Sequence, residues 1–176
     1  MDSWSSRNDE IVVFPRNMLI NVDNMEVRKM LTIHAKLVEA ILADAHKDYP
    51  FETCGVIAGP ERSNLPLRLI PMRNAAQSET FFRFDPQQQL KVWREMEARG
   101  EEPIVIYHSH TNTPAYPSRT DVQYASEPQS HYVIIPTDPA YGEEIRSFRI
   151  LDGMVTEERI RVMNSYKSEW ELSMVA

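Results

Sequence analysis

A single cysteine, Cys54, occurs in the 176 residues. One thiol forms no internal disulfide and builds no cysteine-based zinc cage, so the expected setting is the reducing cytoplasm. Basic residues are also scarce: 19 Lys and Arg against 26 Asp and Glu leave a formal net charge of −7. Nucleic acid needs a basic field to meet its phosphates, and a polybasic membrane anchor needs the same sign; no nucleic-acid and no membrane partner is expected. Nowhere does an apolar run approach the roughly 18 residues of a spanning helix. The opening MDSWSSRNDE is polar and acidic where a secretory signal is basic and then apolar. Repeats and low-complexity segments are missing too.

What remains is an ordinary globular composition, 42% apolar and 26% charged, enough to bury one core. Residues 1–29 read as an N-terminal extension. Ile11-Val12-Val13-Phe14 and Met18-Leu19-Ile20 fit either an added edge strand or a leader without structure, and dimerisation through this segment is an open use that no residue pattern supports. From Thr32, placed as a cap, Ile33, Leu37 and Ile41 recur every fourth residue, which predicts a helix ended by Pro50. Cys54 to Gly59 and Leu67 to Ile70 read as strands. Asp85-Pro86-Gln87-Gln88 predicts a helix start with a capping box, Leu90, Trp93 and Met96 on its apolar face and Gly100 as its stop. The β-branched run Ile104 to Tyr107 predicts a central strand, Tyr132 to Ile135 another, and Asp152-Gly153 a hairpin turn between two more. Interleaved helices and strands predict an α/β domain with a mixed sheet flanked by helices. Tyr166 and Trp170 are candidates to dock the tail.

The informative stretch follows the central strand: His108-Ser109-His110, then Ser118-Arg119-Thr120-Asp121. Alternate strand residues share a face, about 7 Å apart at their Cα atoms, so two imidazoles can close on one cation. Asp121 is a candidate third ligand, and two His with one carboxylate leave a zinc position open for water. Glu52, beside an apolar strand, is a candidate base for that water, because a carboxylate there is costly unless paired or functional. Ser118 is a candidate donor to a developing oxyanion. Each residue also has a plainer reading: Ser118 and Asp121 as a helix cap, the histidines as surface or satisfied groups, Glu52 as a solvated loop residue. Cys54 reads as a buried inert thiol or as a sulfur-handling one, with Thr53 on the opposite strand face. Tyr107 and Trp93 read as core. Tyr116, Pro117 and Arg119 fit either a structural loop or contacts to a substrate tail. His34, His46 and His131 read as structural or solvated.

Glu52, His108-x-His110, seven residues, Ser118-x-x-Asp121 resembles the motif of the JAMM (MPN+) metallopeptidases, Glu…His-x-His-x7-Ser-x2-Asp, in every type and spacing. The resemblance covers residues 30–163 and leaves 1–29 and a 164–176 tail outside it. The stretches CGVIAGP, LKVWREME, VIYHSHT, AYPSRTDV and HYVI resemble its bacterial Mec-type branch, which acts on CysO–cysteine adducts, and the QbsD-type branch. The resemblance implies a cytidine deaminase-like mixed sheet, one zinc ion held by His108, His110 and Asp121, Glu52 as general base and Ser118 as stabiliser of the tetrahedral intermediate. The partner it implies is a ubiquitin-like sulfur carrier protein with a Gly-Gly tail, cut after the second Gly. Other readings are a non-catalytic scaffold, disfavoured because every motif position is filled; a ubiquitin-chain isopeptidase, for whose usual insertions there is little room; and a zinc deaminase, which lacks its Cys-x-x-Cys pair here.

Overall fold

A computed structural model of the chain describes residues 30–142 and 144–165. In chain order the elements are β1 (Met30–His34), α1 (Ala35–Lys47), β2 (Cys54–Pro60), β3 (Arg68–Met72), α2 (Pro86–Ala98), β4 (Glu101–His110), α3 (Arg119–Tyr124), β5 (His131–Pro136), a 3-10 turn (Pro139–Tyr141), β6 (Arg146–Leu151) and β7 (Met154–Met163). All seven strands join one mixed sheet in the order β1-β7-β6-β5-β4-β2-β3. The pairs β1–β7 and β4–β5 are parallel and the rest antiparallel. The fold is thus the expected α/β mixed sheet with helices on its faces. The runs Ile11 to Phe14 and Met18 to Ile20, and the aromatics Tyr166 and Trp170, lie outside the described residues.

Strand alternation divides the core in two. Val105 and Tyr107 of β4 and Val133 and Ile135 of β5 pack with Ile41 and Ala45 of α1. Ile106 and Ile134, one residue out of phase, pack on the other face with Phe148, Val122 and Ala125, while Cys54, Val56 and Met72 meet Val92 and Met96 of α2 there. Each fully buried side chain of this size is worth roughly 1.5–3 kcal/mol of transfer free energy, so β4, buried on both faces, is the rigid member from which a site can be hung. Tyr107 ties the α1 face: its hydroxyl donates to Asp44 Oδ2 at 2.7 Å. The ring crosses β2 at Gly55, where a Cβ would come within 2.3 Å of the Tyr107 hydroxyl, so only glycine admits this path.

Several expectations need correction. The helix expected from Thr32 begins only at Ala35: residues 30–34 are strand, with Leu31 and Ile33 buried in a period of two, β1 pairs with β7, and His34, not Thr32, caps α1. The four-residue step from Ile33 to Leu37 spans a strand–helix boundary. The start of α2 is capped from one side only. Asp85 accepts from the N–H groups of Gln87 and Gln88, but the Gln88 side chain accepts from the Arg73 N–H at 2.8 Å instead of closing the box. Leu90 is exposed, because the helix buries Val92 and Met96 at i, i+4. Trp93 is half-buried, and its indole N–H donates to Glu127. Strand β3 runs through Pro71 to Met72, which its place at the sheet edge permits. Asp152 and Gly153, both with positive φ, make the predicted hairpin turn.

Candidate metal centre

The C-terminal end of β4 carries His108 and His110 on the face that packs against α2 and α3, both at most 4% exposed. Their Nε2 atoms lie 3.1 Å apart. Asp121, in the first turn of α3, brings Oδ1 within 3.5 Å of His108 Nε2 and Oδ2 within 3.5 Å of His110 Nε2. A closed capping box aims that carboxylate. The Ser118 hydroxyl accepts from the Asp121 N–H at 3.2 Å, and Asp121 Oδ2 accepts from the Ser118 N–H at 2.6 Å. Capping and cation binding, the two readings of Ser118-x-x-Asp121, are therefore one arrangement: the box that starts the helix also holds its carboxylate against the histidines. Since the Ser118 oxygen accepts there, its own proton is left to donate elsewhere.

Glu52 reaches the same place through strand register. Cys54 lies opposite His108 in the antiparallel β2–β4 pair, and the next link is made by Thr53 and Ser109, whose backbone and side chain exchange hydrogen bonds of 2.9 and 2.8 Å. Continuing one more residue on each strand sets Glu52 across from His110. Glu52 is 4% exposed. Burial is the main influence on its carboxyl and pushes it up to about 8; His110 pulls it down and Asp121 pushes it further up. Burial would also raise Asp121, but hydrogen bonds from His108, His110 and Ser118 outweigh it and hold this carboxyl well below the usual range. Burial depresses His108 against the pull of Asp121. It acts the same way on His110, where Asp121, the Pro114 carbonyl and Glu52 reverse the sign.

The donor set fits a small divalent cation. His108, His110 and Asp121 each offer a ligand atom, all within 4.8 Å of one another. A tetrahedral zinc with bonds of about 2.0–2.1 Å spaces its ligands about 3.3 Å apart, and the separations found are 3.1 and 3.5 Å. His110 has its Nδ1 turned to the Pro114 carbonyl at 2.8 Å, which leaves Nε2 with a lone pair facing the centre, the usual outer support of a ligating histidine. His108 Nδ1 is buried without a partner among the described residues.

Several supports were not legible in the motif. Asn74 donates to the carbonyls of Glu52 (2.9 Å) and Phe81 (3.1 Å) and accepts from the Ala76 and Arg83 N–H groups, so one side chain fixes both the Glu52 backbone and the 74–84 loop. Thr111 donates to the Glu79 carbonyl at 2.7 Å. Phe82 stacks on His108, with centroids 4.5 Å apart. The only available signal was Phe81-Phe82-x-Phe84, a dense aromatic run in a loop. Tyr116 turns its ring onto Phe148 of β6, and Pro117 is buried while Arg119 is exposed. Cys54 is fully buried and burial pushes its thiol far up, which suits the inert reading. Thr53, on the other face, donates to the Asp44 carbonyl of α1. His131 is buried in a separate network.

Residues 34–151 match the family of prokaryotic homologues of the JAB domain. The chain belongs to this family. As a JAB-domain protein of the JAMM type it is a hydrolase, and the mixed sheet around β4 is the JAB frame. Among JAB-containing relatives, a CysO-cysteine peptidase of Mycobacterium tuberculosis is 56% identical over 137 residues, 78% of this chain and 94% of that protein. A probable TtuB-protein conjugate cleaving protease of Thermus thermophilus is 32% identical over 70% of this chain and 78% of its own. The solution structure of a Desulfitobacterium hafniense protein superposes with a TM-score of 0.67 at 32% identity, covering 78% of this chain and 95% of that one. No helix among the described residues is long and apolar enough to cross a membrane.

Proposed function

We propose that this chain is a zinc peptidase that hydrolyses the peptide bond after the C-terminal Gly-Gly of a small ubiquitin-like sulfur carrier protein, releasing cysteine or a short peptide in the cytoplasm. The observation that carries the reading is the convergence of His108, His110 and Asp121 on one point, in a chain 56% identical to a peptidase named for a CysO–cysteine adduct. The lone, buried cysteine suits a reducing compartment.

In this reading His108, His110 and Asp121 would hold the ion, which would supply Lewis acidity to the site. Glu52 takes a proton from the attacking water and passes it to the leaving amine. Burial raises the proton affinity of this carboxyl and the bound cation would lower it, two opposed influences that suit a group which must first take a proton and then give it up. Ser118, with its hydroxyl proton available, donates to the oxygen on which charge develops. Asn74 holds the Glu52 main chain while this happens. A Gly-Gly tail has no side chains to exclude from a narrow passage beside a strand end.

Intact-mass analysis tests this directly. Candidate carriers from the same genome are incubated with the zinc-loaded chain, and a mass loss equal to one residue or a short peptide beyond Gly-Gly is expected. Diubiquitin should stay intact. Cleavage of diubiquitin with the carriers untouched would favour an isopeptidase, and inertness toward both would favour a non-catalytic scaffold.

A further inference from the structure

Two spaces border the centre. A cleft of about 270 Å³ passes Glu52, Asp48, Arg73 and Gln77. A more enclosed cavity of about 320 Å³ reaches His108 and Asp121 and is walled largely by aromatic and aliphatic side chains, Phe81, Tyr124 and Tyr132 among them. The Phe81 and Tyr124 rings meet at 5.7 Å. One basic residue, Arg83, belongs to the lining. Its backbone is pinned by Asn74 and its position is exposed. Whereas Arg68 and Arg146 are paired to glutamates, the Arg83 guanidinium has no ion pair or hydrogen bond among the described residues.

We infer that this apolar-walled cavity receives the residue that leaves and that Arg83 pairs with the free α-carboxylate of that residue. The inference rests on the function proposed above. A carrier tail must continue into a folded body and therefore needs an open passage. A leaving residue ends the chain and needs only a cavity of its own size. Apolar walls with a single cation match an uncharged side chain beside one terminal negative charge. Adducts that end one residue past Gly-Gly are thus favoured over longer or amidated ones.

The probe is N-acetyl-Gly-Gly-Leu, as free acid and as amide, titrated calorimetrically into the zinc-loaded full chain carrying Glu52→Gln. The acid is expected to bind on the order of tenfold more tightly, as a charge-assisted pair predicts. Adding Arg83→Gln should bring the acid-to-amide ratio close to unity, and Arg83→Lys should keep part of it. Equal binding of acid and amide, or a preference that survives Arg83→Gln, would overturn the assignment. Parallel cleavage of carriers ending in Gly-Gly-Leu separates the two readings. Discrimination in binding without cleavage by the unsubstituted enzyme removes the proposed function and leaves the carboxylate subsite. Cleavage without discrimination removes the subsite and leaves the function.

Discussion

Two buried histidine–carboxylate clusters sit on the same pair of parallel strands. At the C-terminal end of β4, His108 and His110 face Asp121, with Glu52 beside them. At the N-terminal end of β5, His131 meets Glu158 through Nδ1 and Asn64 and Arg149 through Nε2. Glu158 also accepts from Ser147 and Arg149. This second cluster is closed: its carboxylate has an arginine and a serine as well as the histidine, and both ring nitrogens are occupied. The first is open. Among the described residues no lysine or arginine is a main influence on Glu52, His108, His110 or Asp121, two carboxyl groups share one small volume, and two Nε2 atoms point at each other. A saturated network of this kind specifies structure. A network short of positive charge suits a cation, and there the proposed chemistry is placed.

Disturbing each cluster in turn should separate activity from stability. Glu52→Ala is expected to lower turnover by about 10²–10⁴-fold, the usual reach of a general base, while zinc content per chain stays unchanged. Near-normal turnover in that variant would end the role given to Glu52. Glu158→Ala should do the reverse. Removing one partner of a buried pair costs about 3–5 kcal/mol, seen as a lower urea midpoint, while the residual folded enzyme keeps its turnover number. Adding zinc at about a hundred times its dissociation constant should stabilise the metal-stripped chain by about 2.7 kcal/mol, an increment that Asp121→Asn should largely abolish and Glu158→Ala should not.

The comparison sharpens with pH. Burial, opposed by Glu158, lowers the proton affinity of His131. A histidine with a depressed folded-state value contributes stability that is present above its unfolded value, near 6.5, and is lost as pH falls through the folded one. On acidification below about 6.5 the metal-stripped chain should therefore lose up to about 1.4 kcal/mol per pH unit more than a metal-stripped His131→Gln variant does, a difference in which the opposite contribution of the raised Glu52 carboxyl cancels. A difference between parent and variant that stays flat across that window in equilibrium urea titrations would contradict the closed-network reading. The smallest effect on stability is expected from Ser118→Ala, about 1 kcal/mol from the lost cap, with weaker zinc retention because Asp121 loses its aim and a turnover lowered by about 10²–10³-fold through the lost oxyanion donor.

How much of this could be read from residues alone depends on the range of the interaction. His108-x-His110 and Ser118-x-x-Asp121 are local patterns, so strand alternation and helix capping already placed their side chains in pairs. Asp152-Gly153 announced its hairpin for the same reason. The meeting of Glu52 with His110 depends on the β2–β4 register, which no local pattern encodes. Asn74 and Phe82 act from a loop whose path is set by tertiary contacts. Met30–His34 was misread because Ile33 and Leu37 mimic a helical step across an element boundary. His131 was legible as structural, but its partners Asn64, Arg149 and Glu158 come from three distant segments.

The most direct test is the metal content of the full-length chain after zinc loading and exhaustive dialysis, measured beside His110→Asn and Asp121→Asn. One zinc ion per unsubstituted chain, with marked loss in both variants, is the predicted result for a site of three protein ligands. An unsubstituted chain that emerges without metal, or variants that keep it as well as the parent does, would contradict the account at its root.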